Sequence, residues 1–429
     1  MSDAADRFLS LGERLRVLPV VHGSGDCAVA VREWMLAHSP DALAVPLPPS
    51  FRRQVLEAVD RLPHVSAVVQ RDAWGEGEEG FSYVPVEPCQ PVIAALRTAL
   101  GDRLPIHFID RETPHFESVS AVFPDPYALK RVSVAAFAAA LLPAIPPPDE
   151  GQHAERVRWM ARRLRGLERK HQKTLLVCSL LDWPWIRQAF LEKAPVEDEE
   201  DFEPHIETYS VEPRTLAFLL AELPWIAALY ERGRIRLDDD ANLSVDGIKE
   251  LALESRERLR RTHPRTAGRI TPHLLQLWMR YVRNLCLIGR RLTPDLHTLI
   301  VAAQQMAGDD WALTLAETAR EYPYAPDEPE EGWLRMGLGE ADVPGWGVAP
   351  MANRLPGQSF EWGTLRLRRR PERREQQDWA QRWDPYSQCS WPPEDDRIES
   401  FTAHVREAAR AAMGADLAKS EKFTTSVMD

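Results

Sequence analysis

No stretch of this sequence is long and apolar enough to suggest a membrane span. Hydrophobic residues make up 44% and charged residues 28% of it, with a mean hydropathy of -0.36, so a soluble globular protein without a membrane partner is expected. Cysteine is scarce and scattered. The five cysteines (Cys27, Cys89, Cys178, Cys286, Cys389) form no C-x-x-C or C-x-H pair, which speaks against a disulfide framework or a zinc knuckle and leaves buried, reduced thiols. Positive charge is in deficit. A net charge of -12 and a pI near 5.6 disfavour nucleic-acid binding, which needs a basic face. The arginine-rich stretches Arg256–Arg269 and Arg366–Arg374 have acids in or near them and read as solvated faces or protein contacts. Met1–Arg14 has no basic start, apolar signal core or small-residue cleavage site, so a cytoplasmic location is expected. Also missing are G-x-S-x-G, H-E-x-x-H, a Walker loop and any Cys/His cluster, so no ready-made catalytic motif is present.

What is there is a chain of 429 residues, long enough for two or three domains. From Arg14 to Phe190, short β-branched runs alternate with longer amphipathic stretches, the signature of βα units in a mostly parallel sheet flanked by helices. Strands are expected at Leu15–Val21, Ala42–Leu47, Val65–Gln70, Pro105–Ile109 and Leu175–Ser179. Asp26–His38 places Val31, Trp34 and Met35 on one stripe, and Ser50 is suited to cap a helix carrying Phe51, Val55, Leu56 and Val59.

An acidic, proline-containing run, Glu192–Glu207, suggests a first boundary. Helices follow at Pro213–Arg232, Val245–Thr262, Thr271–Gly289, Pro294–Met306 and Asp309–Tyr322, the third with Leu274, Leu277, Trp278, Tyr281 and Leu285 as its core face. Tyr322–Glu331, rich in proline and acid, suggests a second boundary. Beyond it, tryptophans 333, 346, 362, 379, 383 and 391 among Gly and Pro suggest irregular structure wrapping the other domains. A helix over Asp396–Met413 precedes a tail without an obvious stop signal, which leaves open a longer natural chain or docking on a partner. The expected organisation is an α/β domain at 1–195, a helical region at 196–325 and a Trp/Pro-rich extension at 326–429.

In a parallel α/β sheet ligands bind beyond the carboxyl ends of the strands. After the first strand, His22-Gly23-Ser24-Gly25-Asp26 offers a tight turn whose amides, with the helix behind them, suit an anionic small molecule; Gly23, Ser24, Gly25 and Asp26 are the candidate binding residues. The run Gly23–Ala28 also satisfies G-x-G-x-x-G/A, but the second strand ends Val45-Pro46-Leu47-Pro48-Pro49, without the acid a dinucleotide's ribose requires. Asp110 falls at the tip of another strand, whereas His107 lies inside it and reads as a packed histidine with one hydrogen bond. Asp182, after the apolar run Leu175–Leu181 and before Pro184, reads either as a helix cap or as a site residue.

The order of these points resembles the TraB/ChaN/erythromycin-esterase (TIKI-like) superfamily. It is most similar to bacterial members with an H-G-x-G-S-like start (His22-Gly23-Ser24-Gly25), an I-D strand end (Ile109-Asp110) and an E-R-x-x-x-M-A helix (Glu155-Arg156-Val157-Arg158-Trp159-Met160-Ala161). The resemblance spans Leu15 to Phe190. It implies a site between strand ends, with a histidine after strand one, a glutamate after strand two and a late G-x-x-H. Here Pro46 stands at the glutamate and Ser179-Leu180-Leu181-Asp182 at G-x-x-H, so a potential base and a metal ligand are missing. The first expectation is therefore a catalytically altered or noncatalytic member acting through protein interaction in a bacterial multi-protein system. The resemblance implies a MoxR-type AAA ATPase and a von Willebrand A-domain protein as neighbours. The second is a metal-dependent hydrolase using His22, Asp110 and Asp182 as catalytic residues around a divalent ion. The third is binding of an anion at Gly23–Asp26.

Overall fold

The computed structural model describes residues 9–73, 79–119, 121, 128–129, 131–141, 145–148, 150–196, 202–235, 245–289, 293–326, 329 and 332–357. It is a mixed α/β structure whose residues fall into two compact units. One draws on Met1–Val245 and Tyr322–Ser359; of the other, Asp246–Glu321 is described.

The first unit contains a five-stranded sheet built as the apolar runs suggested. Its strands in spatial order are β1 (Ser10–Leu11), β2 (Leu15–Val20), β7 (Thr174–Ser179), β3 (Ala42–Val45) and β6 (Ile106–Phe108). All neighbours are parallel except β1 against β2. Successive side chains on a strand point to opposite faces, and both faces here are covered, which is why these strands read as continuous apolar runs. Leu18, Val20, Leu43, Val45, Leu175 and Val177 face α1 (Gly25–His38), α2 (Arg52–Asp60) and α3 (Pro91–Gly101). Leu15, Val17, Ala44, Leu176 and Cys178 face α5 (Gln152–Glu168) and α6 (Trp183–Glu192), while α4 (Val134–Leu141) packs Phe137 and Ala138 into the first of these two cores.

The stretch Val65–Gln70 does not join this sheet. It lies in β4 (Ser66–Ala73), part of a second, six-stranded sheet in which β5 (Glu79–Val86) and β8 (Ile206–Ser210) pair antiparallel with it on either side. Pairing of β8 with β4 also moves the first boundary. The described residues 202–235, with α7 (Leu216–Leu219) and α8 (Pro224–Ile235), belong to the first unit. The region after Tyr322 likewise departs from the irregular extension expected of it. It supplies β9 (Arg335–Met336), β10 (Glu340–Val343) and β11 (Gly347–Asn353), and β11 pairs in parallel with β5 through Met351↔Phe81 and Asn353↔Tyr83. The residues driving this return are apolar: Leu334, Met336, Val343 and Met351 are buried with Val69, Tyr83 and Tyr209. Trp362, Trp379, Trp383, Trp391 and the expected helix Asp396–Met413 lie outside the described residues.

The second unit is helical: α9 (Gly247–Thr262), α10 (Pro264–Arg269), α11 (Pro272–Ile288), α12 (Leu296–Ala307) and α13 (Asp309–Ala319). Thr271 and Asp295 cap α11 and α12 by accepting from the amides of Leu274 and Thr298. Trp278 and Trp311 are fully buried with ring centres 5.3 Å apart, and Trp311 Nε1 donates to Ser255 Oγ at 3.0 Å. The expected core face of α11 is rotated. Its buried line is Trp278, Val282 and Cys286, while Leu277 is exposed and Tyr281 turns out to hydrogen-bond Gln305. Among the described residues no helix is long and apolar enough to cross a membrane, and Cys27, Cys89, Cys178 and Cys286 are buried without a disulfide; Cys389 is outside them.

Leu176, on the central strand between two covered faces, is fully buried. Leu176→Ala is expected to destabilise the protein by about 2–5 kcal/mol, read as a lowered urea midpoint with unchanged slope.

Candidate functional site

The carboxyl ends of β2, β3 and β7 open on a small cavity of about 20 Å³, room for a water or two. His22 reaches it from the end of β2, Pro46 from β3, and Ser179 and Asp182 from β7. The fold brings all four of these positions to one space. Asp110, beyond β6, sits behind the wall, held by the wall residue Arg156.

His22 is almost wholly buried (3% exposed), and its Nδ1 lies 3.1 Å from Gln90 Oε1. The same oxygen accepts the Gly23 amide at 3.3 Å, and a backbone N–H only donates, so the Gln90 amide is oriented with its oxygen towards the imidazole. Nδ1 therefore carries the proton and Nε2 the lone pair. Burial pushes the imidazole down to about 4, against weaker opposing effects of Asp182 and Gln90, so His22 is neutral at physiological pH.

The two candidate acids are both held by α5. Arg156 grips Asp110 through Nε (3.1 Å to Oδ1, 3.0 Å to Oδ2) and Nη2 (2.6 Å to Oδ2), and the Arg111 amide adds a bond to Oδ1 at 2.9 Å. Beside it, Arg111 pairs with Glu155. The Asp-Arg of the strand end and the Glu-Arg of the helix thus form crossed ion pairs. Asp182 occupies the N-cap position of α6 without capping it; its Oδ1 instead meets His153 Nε2 at 2.7 Å. Burial opposes the charge on Asp182, but the hydrogen bond and charge of His153, then Arg156 and His22, outweigh it and hold this carboxyl below the usual range. His107, inside β6, makes one hydrogen bond, Nε2 to His171 Nε2 at 3.0 Å. Ser50 does not cap α2 either; its amide and hydroxyl both donate to Glu112.

The sequence pointed to none of His153, Phe116 or Arg354 as site residues. Arg354 follows β11 and is delivered to the cavity by the pairing of that strand with β5. Its Nε donates to Ser82 Oγ and its Nη2 to Gln70 Oε1, each at 3.0 Å, and burial draws it down to about 10, so it remains charged at neutral pH. The ring of Phe116 lies 4.6 Å from the Arg156 guanidinium carbon and 4.8 Å from that of Arg354. Arg156 carried one detectable signal, its place in the helix motif; Arg354, 284 residues from Gln70, carried none.

The Gly23–Asp26 turn is occupied by the protein itself. The Gly25 amide donates to Glu222 Oε1 at 3.3 Å, Ser24 Oγ accepts the Cys27 amide, and Tyr230 hydroxyl donates to Asp26. A Cβ at Gly25 would lie 2.4 Å from the Tyr230 ring, and one at Gly23 (φ 73°) 2.2 Å from Ala221 Cβ. Of the amides expected to hold an anion, that of Gly25 is taken by Glu222 and that of Gly23 by Gln90, while Ser24 and Asp26 are engaged by Cys27 and Tyr230.

Of the three expected metal ligands, His22 and Asp182 line one cavity and Asp110 lies behind its wall. Among the described residues no group of three or more His, Cys, Asp or Glu is arranged to hold a metal ion. Asp110 is fully engaged by Arg156 and Arg111, so it has no lone pair directed at a shared ion with His22 and Asp182. No family model, curated protein or solved structure matches the chain.

Two outcomes follow. In the unfolded chain a histidine titrates near 6.5, whereas His22 in the fold resists protonation until about 4, so the unfolded state takes up the proton first. Its contribution is intact above pH 6.5, declines as pH falls towards 4 and is flat below; about 3 kcal/mol should be lost across that window, and His22→Gln should remove this part of the slope in pH-dependent urea unfolding. Arg156→Met strands a buried Asp110 carboxylate and is expected to cost about 3–5 kcal/mol, whereas the double variant Asp110→Asn, Arg156→Met should lose less.

Proposed function

We propose that the chain is a TraB/ChaN-like scaffold whose strand-end site has been converted from hydrolytic chemistry to structural and binding roles, and that it works by protein interaction in a bacterial cytoplasmic assembly. The observation that carries this reading is the pairing of both strand-end acids with one helix, Asp110 with Arg156 and Asp182 with His153. Both oxygens of Asp110 are thereby engaged within the protein, and Asp182 gives its Oδ1 to His153. The family resemblance is supported by convergence of His22, Pro46, Ser179 and Asp182 on one cavity, and by the crossed pairs that join its I-D and E-R motifs.

Exposed apolar side chains offer a contact surface for such an interaction. On α11, Leu277 and Ile288 lie three turns apart on one side, and Leu287 and Ile288 are 55% and 77% exposed. Partners of the MoxR-type AAA ATPase and von Willebrand A-domain classes are those the resemblance implies.

Co-expression of the full chain with a MoxR-type ATPase and a von Willebrand A protein encoded beside it is expected to yield a defined complex on gel filtration. A strictly monomeric chain that retains neither would sink the reading. So would hydrolase activity dependent on a divalent ion and abolished by His22→Ala.

A further inference from the structure

In the helical unit, α11 carries more apolar surface than the described residues cover. Leu274, Leu277, Tyr281, Leu285 and Ile288 recur at intervals of three and four, so on an α-helix they fall within about 80° of its circumference. None of the five is fully buried: Leu274, Tyr281 and Leu285 are half-buried, and Leu277 and Ile288 are 37% and 77% exposed. The buried line of Trp278, Val282 and Cys286 occupies the adjoining arc and packs inwards, Trp278 against Trp311. An apolar stripe running about four turns beside a finished core marks a second contact.

Charge narrows what covers that stripe. From Arg258 to Pro294 the sequence holds nine arginines and no acid, and on α11 itself Arg280 and Arg283 are exposed. A second copy laid face to face would bring these like charges together, which is unfavourable. The occupant that fits is apolar along one side and acidic at one end.

One segment of the chain has both properties. In Asp396–Met413, which lies outside the described residues, Ile398, Phe401, Val405, Ala408 and Ala412 repeat the spacing of three and four from which a helix is expected there. Glu394, Asp395, Asp396 and Glu399 gather acids at its start. As a helix it would be about 27 Å long, against about 25 Å for α11. The residues between 357 and 396 extend to about 100 Å or more, so the connection does not limit where the segment docks.

We propose that Asp396–Met413 docks as a helix along the open stripe of α11, with its acidic start set against the arginines. This goes beyond the interaction reading: the segment covers α11 in the isolated chain, and a partner that uses Leu277 or Ile288 has to displace it.

The test is made on the full chain alone, so its failure is distinct from a failure to find a partner. A benzophenone amino acid replaces Leu277 or, in a second protein, Ile288; both positions are exposed enough to accept it. Irradiation is expected to give a cross-link within one chain, mapped by mass spectrometry to Asp396–Met413. The double variant Phe401→Asp, Val405→Asp should lower the yield of that cross-link several-fold and raise binding of an apolar dye, with circular dichroism retaining the folded signal. The proposal is overturned if folded proteins form no such cross-link from either position, if the products join two chains or reach only other parts of the same chain, or if the double variant cross-links as well as the parent.

Discussion

The paired grip of α5 on the strand ends is the constraint around which the first unit is organised. Arg156 holds Asp110, Glu155 holds Arg111, and His153, one turn earlier on the same helix, holds Asp182. Buried charges are tolerated only when paired and hydrogen-bonded, so these contacts dictate where the helix starts relative to β6 and β7. The apolar face of that helix, Val157, Met160 and Leu164, then packs beneath the sheet. The ion pairs set register, and the packing supplies most of the stabilisation.

The same contacts decide the character of the site. A carboxylate whose lone pairs are taken by a guanidinium is a poor base and a poor metal ligand, because either role requires breaking a buried pair. The strand ends are braced from within, and beside them the buried guanidinium of Arg354 lies against Phe51 and Phe116. Arg354 follows β11, an inner strand of the second sheet, which links that sheet to the strand ends of the other.

Much of the parallel sheet was legible because burial on both faces writes a strand as an unbroken apolar run; β2, β3 and β7 fall within a residue or two of where Leu15–Val21, Ala42–Leu47 and Leu175–Ser179 suggested. Strands of the second sheet were not. Val65–Gln70 was visible as a strand but its partners were not, and β5, with Gly80 and Pro85, and β9–β11, short and broken by glycine, lack a pattern that distinguishes them from loops. In the helical unit the elements were visible from their period and caps, but the buried line of α11 was displaced towards Val282 and Cys286, since period identifies a face only to within the width of a stripe.

By itself the sequence determined the alternating βα core and the positions of His22, Asp110 and Asp182 at strand ends. These depend on local pattern, and local pattern is written in neighbouring residues. Only the tertiary structure decided that Asp182 answers to His153, that the Gly23–Asp26 turn is filled by Glu222 and Tyr230, and that Arg354 arrives at the cavity. Each of those is a contact between residues far apart in the chain, set by which sheet edge a distant strand joins, and no local pattern carries that information.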